Sequence, residues 1–182
     1  LAMMEDAEQT GIFVEKMADF FRYNVKKGQE DATLGEELEA VDNYIYILNV
    51  RFAGDIHFNK DVDESLENVR VPSMILQPVV ENAVNHGIRD IEWEGKIHLT
   101  VTGDADYIRI SVKDNGKGMT PEQIESVLSG NKEHCNEQSD STGIGMNNVI
   151  SRLELYYEEP GLVEINSDGE NKGTEVVIYI PV

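Results

Sequence analysis

Two runs of alternating apolar residues, separated by a turn, constrain the fold of this chain most strongly. Apolar side chains recur at every second position from 97 to 101 and again from 108 to 112, and the sequence GDAD at 103–106 between them is typical of a turn. Successive side chains of a strand lie on opposite faces, so only one face of each run is apolar. The pattern predicts an antiparallel hairpin with one face buried against other elements.

Helical periodicity precedes these strands. Residues 12–25 carry apolar side chains on one face, and Gly28 is predicted to end that helix. Thr33 begins a second helix with a capping box, because Glu36 stands three residues later. Its apolar positions from Leu34 to Phe52 repeat every seven residues, as in a coiled coil or a helical bundle. This repeat fits equally well a helix packed on its own domain and a seam between two copies of the chain.

A third helix is predicted to be introduced by Val71-Pro72-Ser73 and to run to about His86. Pro78 is expected either to bend this helix or to mark its first turn. Asn82, Asn85 and His86 share one of its faces, at positions i, i+3 and i+4. Its buried face is predicted to comprise Leu76, Val80, Ala83, Val84 and Gly87.

The order of the predicted elements indicates the fold class. The remaining elements are a strand at 55–63, a helix from the Thr120 capping box to about Gly130, a polar loop at 131–142, a helix from about Gly143, and a hairpin of 162–167 and 174–180. The chain then reads as two helices followed by β-α-β-β-α-α-β-β. This order predicts an α+β fold with helices on one face of a mostly antiparallel sheet. We expect residues 1–54 to form a helical segment and residues 55–182 to form the domain.

The charge of the chain restricts its partners. Asp and Glu outnumber Lys and Arg by 35 to 15, which gives a net charge of −20. Its long-range field disfavours non-specific binding to nucleic acid or to an anionic membrane surface, whereas a nucleotide that carries Mg²⁺ stays compatible. Cys135 is the only cysteine, so no internal disulfide can form. No apolar run reaches the roughly 18–20 residues that span a bilayer. Because the sequence begins at Leu1 within helix-like residues, it is expected to be a piece of a longer protein.

Three local features are candidates for a nucleotide site, and each also has a purely structural interpretation. Asp114 ends a strand and can accept a hydrogen bond from an exocyclic amine such as that of adenine, or the turn after it merely links two elements. The GIG sequence at 143–145 precedes a helix whose free N–H groups would bind phosphate, or it is an ordinary joint. Asn82 can offer its amide oxygen to Mg²⁺, or it faces solvent.

The order of these features is more specific than any one of them. The segments LQPVVENAVNHGI (76–88), DNGKGM (114–119), STGIGMNNVISRLELYY (141–157) and NKGTEVVIYIP (171–181) resemble the ATP-binding catalytic domain of sensor histidine kinases. The resemblance implies the Bergerat-type two-layer α+β fold, which DNA gyrase and the ninety-kilodalton heat-shock chaperone share. The preceding sequences FFRYNV (20–25) and EELEAVDNYIYILNVRF (36–52) are most similar to the LytS and YesM groups. In those groups such helices belong to the dimerisation and phosphoacceptor region.

The resemblance implies roles for the helix that ends near residue 86. Asn82 would be the Mg²⁺ ligand and, together with Glu81, a catalytic residue, with Glu81 orienting a water or the metal shell. Asn85 and His86 would face the phosphates and the ribose or base. Related ATPases carry a water-activating glutamate one turn before the metal-binding asparagine. That position is Pro78 here, which favours phosphoryl transfer to a protein over hydrolysis.

The same resemblance implies how the base is held. Asp114 would bind the adenine amino group, and Thr174 would support it through hydroxyl or water contacts. Gly116 and Gly118 would let the backbone pass close to the nucleotide.

The phosphates would lie at the last of these motifs. Gly143, Ile144 and Gly145 would line the triphosphate at a helix start, with residues 130–142 as a lid. The phenylalanine-containing box of many histidine kinases is not evident between residues 119 and 140.

The function implied is that of a protein-histidine kinase that uses ATP and Mg²⁺. It would transfer the γ-phosphoryl group to a histidine and then to an aspartate of a response regulator. It would dimerise through its helical region and lie at the cytoplasmic side of a membrane through segments outside this sequence. An Asn-Pro-His-Phe-like phosphoacceptor motif is absent from the sequence and is expected shortly before Leu1, so the chain is predicted to bind ATP·Mg²⁺ without phosphorylating itself. Two alternatives stay open: an ATP-driven conformational switch, which Pro78 disfavours, and a dimerisation module whose nucleotide site has decayed.

Overall fold

The hairpin predicted from the alternating apolar runs lies at the middle of the computed structural model. The structure describes residues 2–26, 31–51, 56–89, 91–130 and 140–182. Strands β4 (Gly95–Gly103) and β5 (Tyr107–Asp114) pair antiparallel, with Leu99 opposite Val112. The predicted hairpin is therefore confirmed.

Five strands form one mixed sheet around this hairpin. The strands β2 (Ile56–Val62), β6 (Val163–Asn166) and β7 (Glu175–Pro181) complete it in the order β2-β4-β5-β7-β6. β2 runs parallel to β4, and every other neighbouring pair is antiparallel. Alternate apolar residues of β4 and β5 are buried, so helices cover one face of the sheet while the other face is open.

Helices supply the second layer. Their bounds are α1 (Ala2–Lys26), α2 (Leu34–Arg51), α3 (Leu76–Asn82), α4 (Pro121–Ser129) and α5 (Asp140–Tyr157). A π-helical segment (Ala83–Ile88) continues α3, and a short 3-10 helix covers Glu64–Leu66. The predicted two-layer α+β class, with two helices ahead of the domain, is confirmed. Among the described residues, no helix is both long enough and apolar enough to cross a membrane.

The second helix packs on its own chain. The Thr33 hydroxyl oxygen accepts a hydrogen bond from the Glu36 N–H at 3.2 Å, and Glu36 accepts one from the Thr33 N–H at 2.9 Å, so the predicted capping box is present. The buried residues of the seven-residue repeat share one core with the sheet: Leu34, Leu38, Val41 and Ile45. Of the two alternatives for this repeat, packing within the chain therefore applies to these four residues. Phe52 lies outside the described residues.

The predicted elements differ from the structure at three places. Residues 71 and 72 belong to a short strand β3 (Arg70–Pro72), which pairs antiparallel with β1 (Asp31–Thr33), and the helix begins only at Leu76. Pro78 stands in the first turn of that helix, where its missing N–H group costs no intrahelical hydrogen bond. The last helix begins at Asp140 and not near Gly143, and residues 131–139 of the predicted polar loop lie outside the described residues.

Candidate functional site

The carboxyl group of Asp114 is buried at the end of β5, the middle strand of the sheet. Its Oδ1 accepts hydrogen bonds from the backbone N–H groups of Gly116 at 2.8 Å and Thr174 at 3.3 Å. Burial raises the pKa of this carboxyl group, and the hydrogen bonds from the two N–H groups oppose that rise. Within the described residues no hydrogen bond reaches Oδ2, so the fixed carboxyl group has an acceptor oxygen to offer.

Gly87 packs directly against this carboxyl group. A Cβ atom at Gly87 would lie 2.8 Å from both Cγ and Oδ1 of Asp114, closer than two such atoms can approach. Gly87 belongs to the π-helical segment that continues α3, so the glycine lets that segment reach Asp114. The sequence pattern predicts only that Gly87 lies on the buried face of the helix. A glycine on the apolar face of a helix, where alanine is the better helix former, was the available signal.

The loop after Asp114 is anchored on both sides. The Asn115 Oδ1 accepts from the Lys96 N–H at 2.7 Å, and the Asn115 Nδ2 donates to the Glu94 carbonyl at 2.9 Å. The Trp93 indole N–H donates to the Asn115 carbonyl at 2.8 Å. Asn115 therefore fixes the loop to the segment that leads into β4, a role that the sequence did not indicate beyond an Asn-Gly turn.

Gly116 and Gly118 are required by close contacts with protein backbone. A Cβ atom at Gly116 would overlap the Gly87 carbonyl group, and one at Gly118 would overlap the Gly169 carbonyl oxygen. Gly118 also has φ of +68°, a conformation that favours glycine. The structure accounts for both glycines by these contacts, and their predicted closeness to a nucleotide stays a prediction.

Thr174 is buried and supports Asp114 through its backbone. Its N–H group donates to Asp114 Oδ1, and its carbonyl accepts from the Asp114 N–H at 2.9 Å. The preceding Gly173 has φ of +75°, and a Cβ atom there would overlap the Asp114 carbonyl oxygen. The predicted support of Asp114 by Thr174 is thus seen in backbone hydrogen bonds, while the predicted hydroxyl or water contact to adenine stays a prediction.

Asn82 ends α3 with an unsatisfied amide group. Its Nδ2 is buried and has no hydrogen-bond partner within the described part of the chain. A buried amide that finds no protein partner is costly, and a ligand or water is the usual way of satisfying it. The side chain is therefore suited to contact a bound group, and its assignment as the Mg²⁺ ligand stays a prediction.

The neighbours of Asn82 make contacts on two sides. Glu81 accepts a hydrogen bond from Gln77 Nε2 at 2.8 Å, one turn earlier in α3. Glu81 and Asn85 both lie close enough to the Tyr44 hydroxyl of α2 to act on its pKa. Burial and the positive charge of Lys117 lower the pKa of His86, so its imidazole is mostly neutral at pH 7.

The first turns of α5 contain the predicted phosphate-binding residues. Gly143, Ile144 and Gly145 are the fourth, fifth and sixth residues of α5, so the prediction that they precede the helix is wrong. The N–H groups that a helix leaves without intrahelical acceptors are those of its cap residue and its first three residues, so those of Gly143 and Gly145 are both outside this set. Gly145 faces Pro78 of α3, because a Cβ atom there would lie 4.0 Å from the Pro78 Cβ. The predicted start of the helix is wrong because a serine, a threonine and two glycines favour a turn, whereas in the structure α5 includes them.

The contacts gather most of the predicted residues at one end of the sheet. Asp114, Gly116 and Thr174 lie together with Gly87, and the continuous helix joins Gly87 to Asn82. This arrangement offers a fixed carboxyl acceptor and an unsatisfied amide, with glycines beside them. The carboxyl group fits an exocyclic amine such as that of adenine, and the Asn82 Nδ2 group fits a hydrogen-bond acceptor such as a phosphate oxygen.

Two family models identify the class of protein: an ATPase-like domain preceded by a histidine kinase segment. A family model described as "Histidine kinase-, DNA gyrase B-, and HSP90-like ATPase" matches residues 70–182, and a second described as "Histidine kinase" matches residues 1–56. The chain belongs to this family of histidine kinase-, DNA gyrase B- and HSP90-like ATPases.

Curated relatives agree with this assignment. The chain is 33% identical over 166 residues to the sensor histidine kinase YpdA of Escherichia coli, over 91% of this chain and 27% of that protein. It is 29% identical over 181 residues to the sensor histidine kinase YesM of Bacillus subtilis, over 100% of this chain and 29% of that protein. The chain thus spans less than a third of the length of either relative.

Solved structures show the same fold. The catalytic domain of the histidine kinase ThkA superposes with a TM-score of 0.58 at 22% identity, over 84% of this chain and 98% of that one. The mycobacterial sensor histidine kinase MprB superposes with a TM-score of 0.60 at 17% identity, over 84% of this chain and 96% of that one.

Proposed function

We propose that this chain is the ATP-binding catalytic part of a two-component sensor kinase. The whole protein would transfer the γ-phosphoryl group of ATP to one of its own histidines and then to an aspartate of a response regulator. The observation that carries the proposal is the buried Asp114 carboxyl group, which backbone N–H groups hold in place. Gly87 flanks this group and belongs to the continuation of the helix that presents Asn82.

Each group of the site would have one task. Asp114 Oδ2 would accept a hydrogen bond from the adenine amine, while Gly87 and Gly173 keep the carboxyl group in place. The Asn82 amide oxygen would bind Mg²⁺, which supplies charge neutralisation at the phosphates when bound. Glu81 would orient the water shell of the cation, and the unpaired N–H groups at the start of α5 would bind phosphate oxygens.

Neighbouring residues would complete the phosphate end of the site. Asn85 and His86 would lie beside the phosphates and the ribose, where a neutral imidazole can donate or accept a proton in a hydrogen bond. Gly116, Gly118 and Thr174 would act by holding the loop and Asp114. Gly143, Ile144 and Gly145 would line the triphosphate from the first turns of α5.

Transfer of the γ-phosphoryl group to a protein is favoured over its transfer to water. Pro78 stands one turn before Asn82 and has no proton-accepting group, so α3 offers no base at that position to activate water. Of the other described histidines, His57 is exposed and pairs with Glu94, and His98 lies exposed on β4, while His134 lies outside the described residues. We propose that the phosphoacceptor histidine belongs to the remainder of the protein.

The partners follow from the same proposal. The described part of α1 exposes four apolar side chains: Ile12, Val14, Phe21 and Val25. Helix α1 would use them to pair with a second copy, and the whole protein would present this domain at the cytoplasmic side of a membrane. The acidic chain would meet its response regulator through basic groups on that partner.

Phosphorylation of the full-length protein tests the proposal. Incubated with γ-labelled ATP and Mg²⁺, it should gain an acid-labile, base-stable label on histidine. The variant Asp114→Asn should lose at least 90% of the label, whereas Asp104→Asn, the same change at the other end of β5, should keep it. A full-length protein that binds ATP·Mg²⁺ but gains no such label would contradict the proposal.

A further inference from the structure

The carboxylate of Glu37, in α2, is buried at the start of α3. Its side chain is 1% exposed. Oε1 accepts a hydrogen bond from the Met74 N–H at 2.6 Å, and Oε2 accepts from the N–H groups of Ile75 at 2.9 Å and Leu76 at 2.8 Å. Three successive backbone donors thus converge on one carboxylate that is 38 residues away from Ile75 in sequence.

Two of these donors, the N–H groups of Ile75 and Leu76, are among those that a helix start leaves unpaired, and Met74 immediately precedes them. The first N–H groups of a helix have no intrahelical acceptor, and a nearby side chain usually caps them. Here Ile75 stands at the cap position and makes no side-chain hydrogen bond. Glu37 therefore caps α3 from another helix, and its negative charge lies at the positive end of the α3 dipole.

The capped segment is conformationally demanding. Met74 has φ of +63°, a left-handed conformation that is unfavourable for a non-glycine residue. Its N–H group bonds to Glu37, and the Ser73 carbonyl accepts a hydrogen bond from Arg152 of α5. Helices α2 and α5 thus hold the turn before α3 from two sides.

Helix α1 reaches the same carboxylate. The Tyr23 hydroxyl donates a hydrogen bond to Glu37 Oε1. Burial and the Glu37 charge raise the pKa of Tyr23, so it stays protonated and able to donate near neutral pH. A second contact lies farther along α2, where Tyr44 stacks on Phe20 of α1 at 5.9 Å between ring centroids.

We propose that Glu37 is a positioning residue of the nucleotide site, which sets the place of α3, and hence of Asn82, relative to Asp114. The inference rests on the proposed function, because it takes Asn82 as a nucleotide contact. Helix α3 is held at its start by Glu37 and, through its π-helical continuation, by the Gly87 contact with Asp114. Loss of the hydrogen bonds to Glu37 would free the start of α3. Because the Tyr23 hydroxyl donates to Glu37, a movement of α1 would also displace this carboxylate and, with it, the start of α3.

The variant Glu37→Gln tests this role, with Glu36→Gln as its matched control. Both remove one negative charge from the same turn of α2, but Glu36 caps α2 itself and not α3. Amide hydrogen exchange of Met74, Ile75 and Leu76 should be 10-fold to 100-fold faster in Glu37→Gln, with the Ile110 amide of β5 unchanged. ATP·Mg²⁺ should bind about 10-fold more weakly to Glu37→Gln by calorimetry, and as in the wild type to Glu36→Gln.

Two outcomes separate this inference from the proposed function. Unchanged ATP·Mg²⁺ affinity in Glu37→Gln, with faster exchange at residues 74–76, would overturn the positioning role and leave the proposed function standing. No ATP·Mg²⁺ binding by the wild-type chain would overturn both. If Glu37→Gln does not fold, Tyr23→Phe removes only the phenolic donor and should weaken ATP·Mg²⁺ binding 2-fold to 5-fold. Wild-type affinity in Tyr23→Phe would then overturn the inference.

Discussion

Two aspartates at opposite ends of β5 make similar hydrogen bonds but differ in burial. Asp104 Oδ1 accepts from the N–H groups of Asp106 and Tyr107, both at 2.9 Å, and Asp114 Oδ1 accepts from those of Gly116 and Thr174. Hydrogen bonding lowers the pKa of the exposed Asp104, whereas burial raises the pKa of Asp114. The two charges therefore act on the free energy of unfolding with opposite signs.

We expect Asp114→Asn to unfold at the same temperature as the wild type at pH 7, or at a higher one. The folded-state pKa of Asp114 lies above its usual value of 3.8, so ionisation favours the unfolded chain. The stability that Asp114 contributes is present below the unfolded pKa and is lost as the pH rises through the folded pKa. Asparagine keeps the Oδ1 acceptor without this loss, so the difference should shrink as the pH falls to about 4. Thermal unfolding of the two proteins between pH 7 and about pH 4 measures this difference in stability.

Asp104→Asn serves as the control for this prediction. The pKa of Asp104 is lowered, so its contribution is present above the unfolded pKa and is lost as the pH falls through the folded pKa. At pH 7 this variant should be slightly less stable than the wild type. A larger loss of stability at pH 7 in Asp114→Asn than in Asp104→Asn would contradict the assignment of the raised pKa to burial.

At the scale of elements, the π-helical segment and the loop after β5 meet without a side chain between them. The Lys117 N–H donates to the Gly87 carbonyl at 3.0 Å, and Gly116 leaves no room for a Cβ atom beside it. The helix that carries Asn82 is thereby joined to the strand that carries Asp114. The separation between this helix and β5 therefore depends on Gly87.

We expect Gly87→Ala to destabilise the fold by about 1–3 kcal/mol, because the added Cβ atom meets Asp114 at 2.8 Å and forces a displacement. Alanine is otherwise the better helix former, by up to about 1 kcal/mol. Gly11→Ala in α1 is the control, since a Cβ atom there meets nothing within 4 Å. That variant should gain about 0.5–1 kcal/mol. Urea unfolding measures both changes, and an equal gain in the two variants would show that Gly87 is not sterically required.

Elements with local signals could be predicted from the sequence, and contacts between distant segments could not. The Thr33 and Thr120 capping boxes each depend on two residues three apart, and both are present. The contact of Gly87 with Asp114 and the cap that Glu37 makes on α3 join distant parts of the chain, and no local pattern specifies either partner. The start of α5 was misplaced because its serine, threonine and glycines favour a turn. Strands β1 and β3 are too short, at three residues each, for alternation to show.

At the scale of the whole molecule, the net charge of −20 sets the conditions for binding a nucleotide. A field of this sign repels a free triphosphate, and a bound divalent cation offsets part of that repulsion. The proposed site needs little positive charge, because backbone N–H groups at the start of α5 and the Asn82 amide are neutral donors and acceptors. The acidity of the chain is therefore compatible with the proposed phosphate-binding site.

Calorimetric titration of ATP·Mg²⁺ into the wild type, Asp114→Asn and Asp104→Asn tests the central claim most directly. The variant Asp114→Asn places a donor where the adenine amine would donate, so it should lose about 1–3 kcal/mol of binding free energy, or roughly 5-fold to 150-fold in Kd. Asp104→Asn should bind as the wild type does, with one nucleotide per chain. Equal affinity of the wild type and Asp114→Asn for ATP·Mg²⁺ would contradict the assignment of this site.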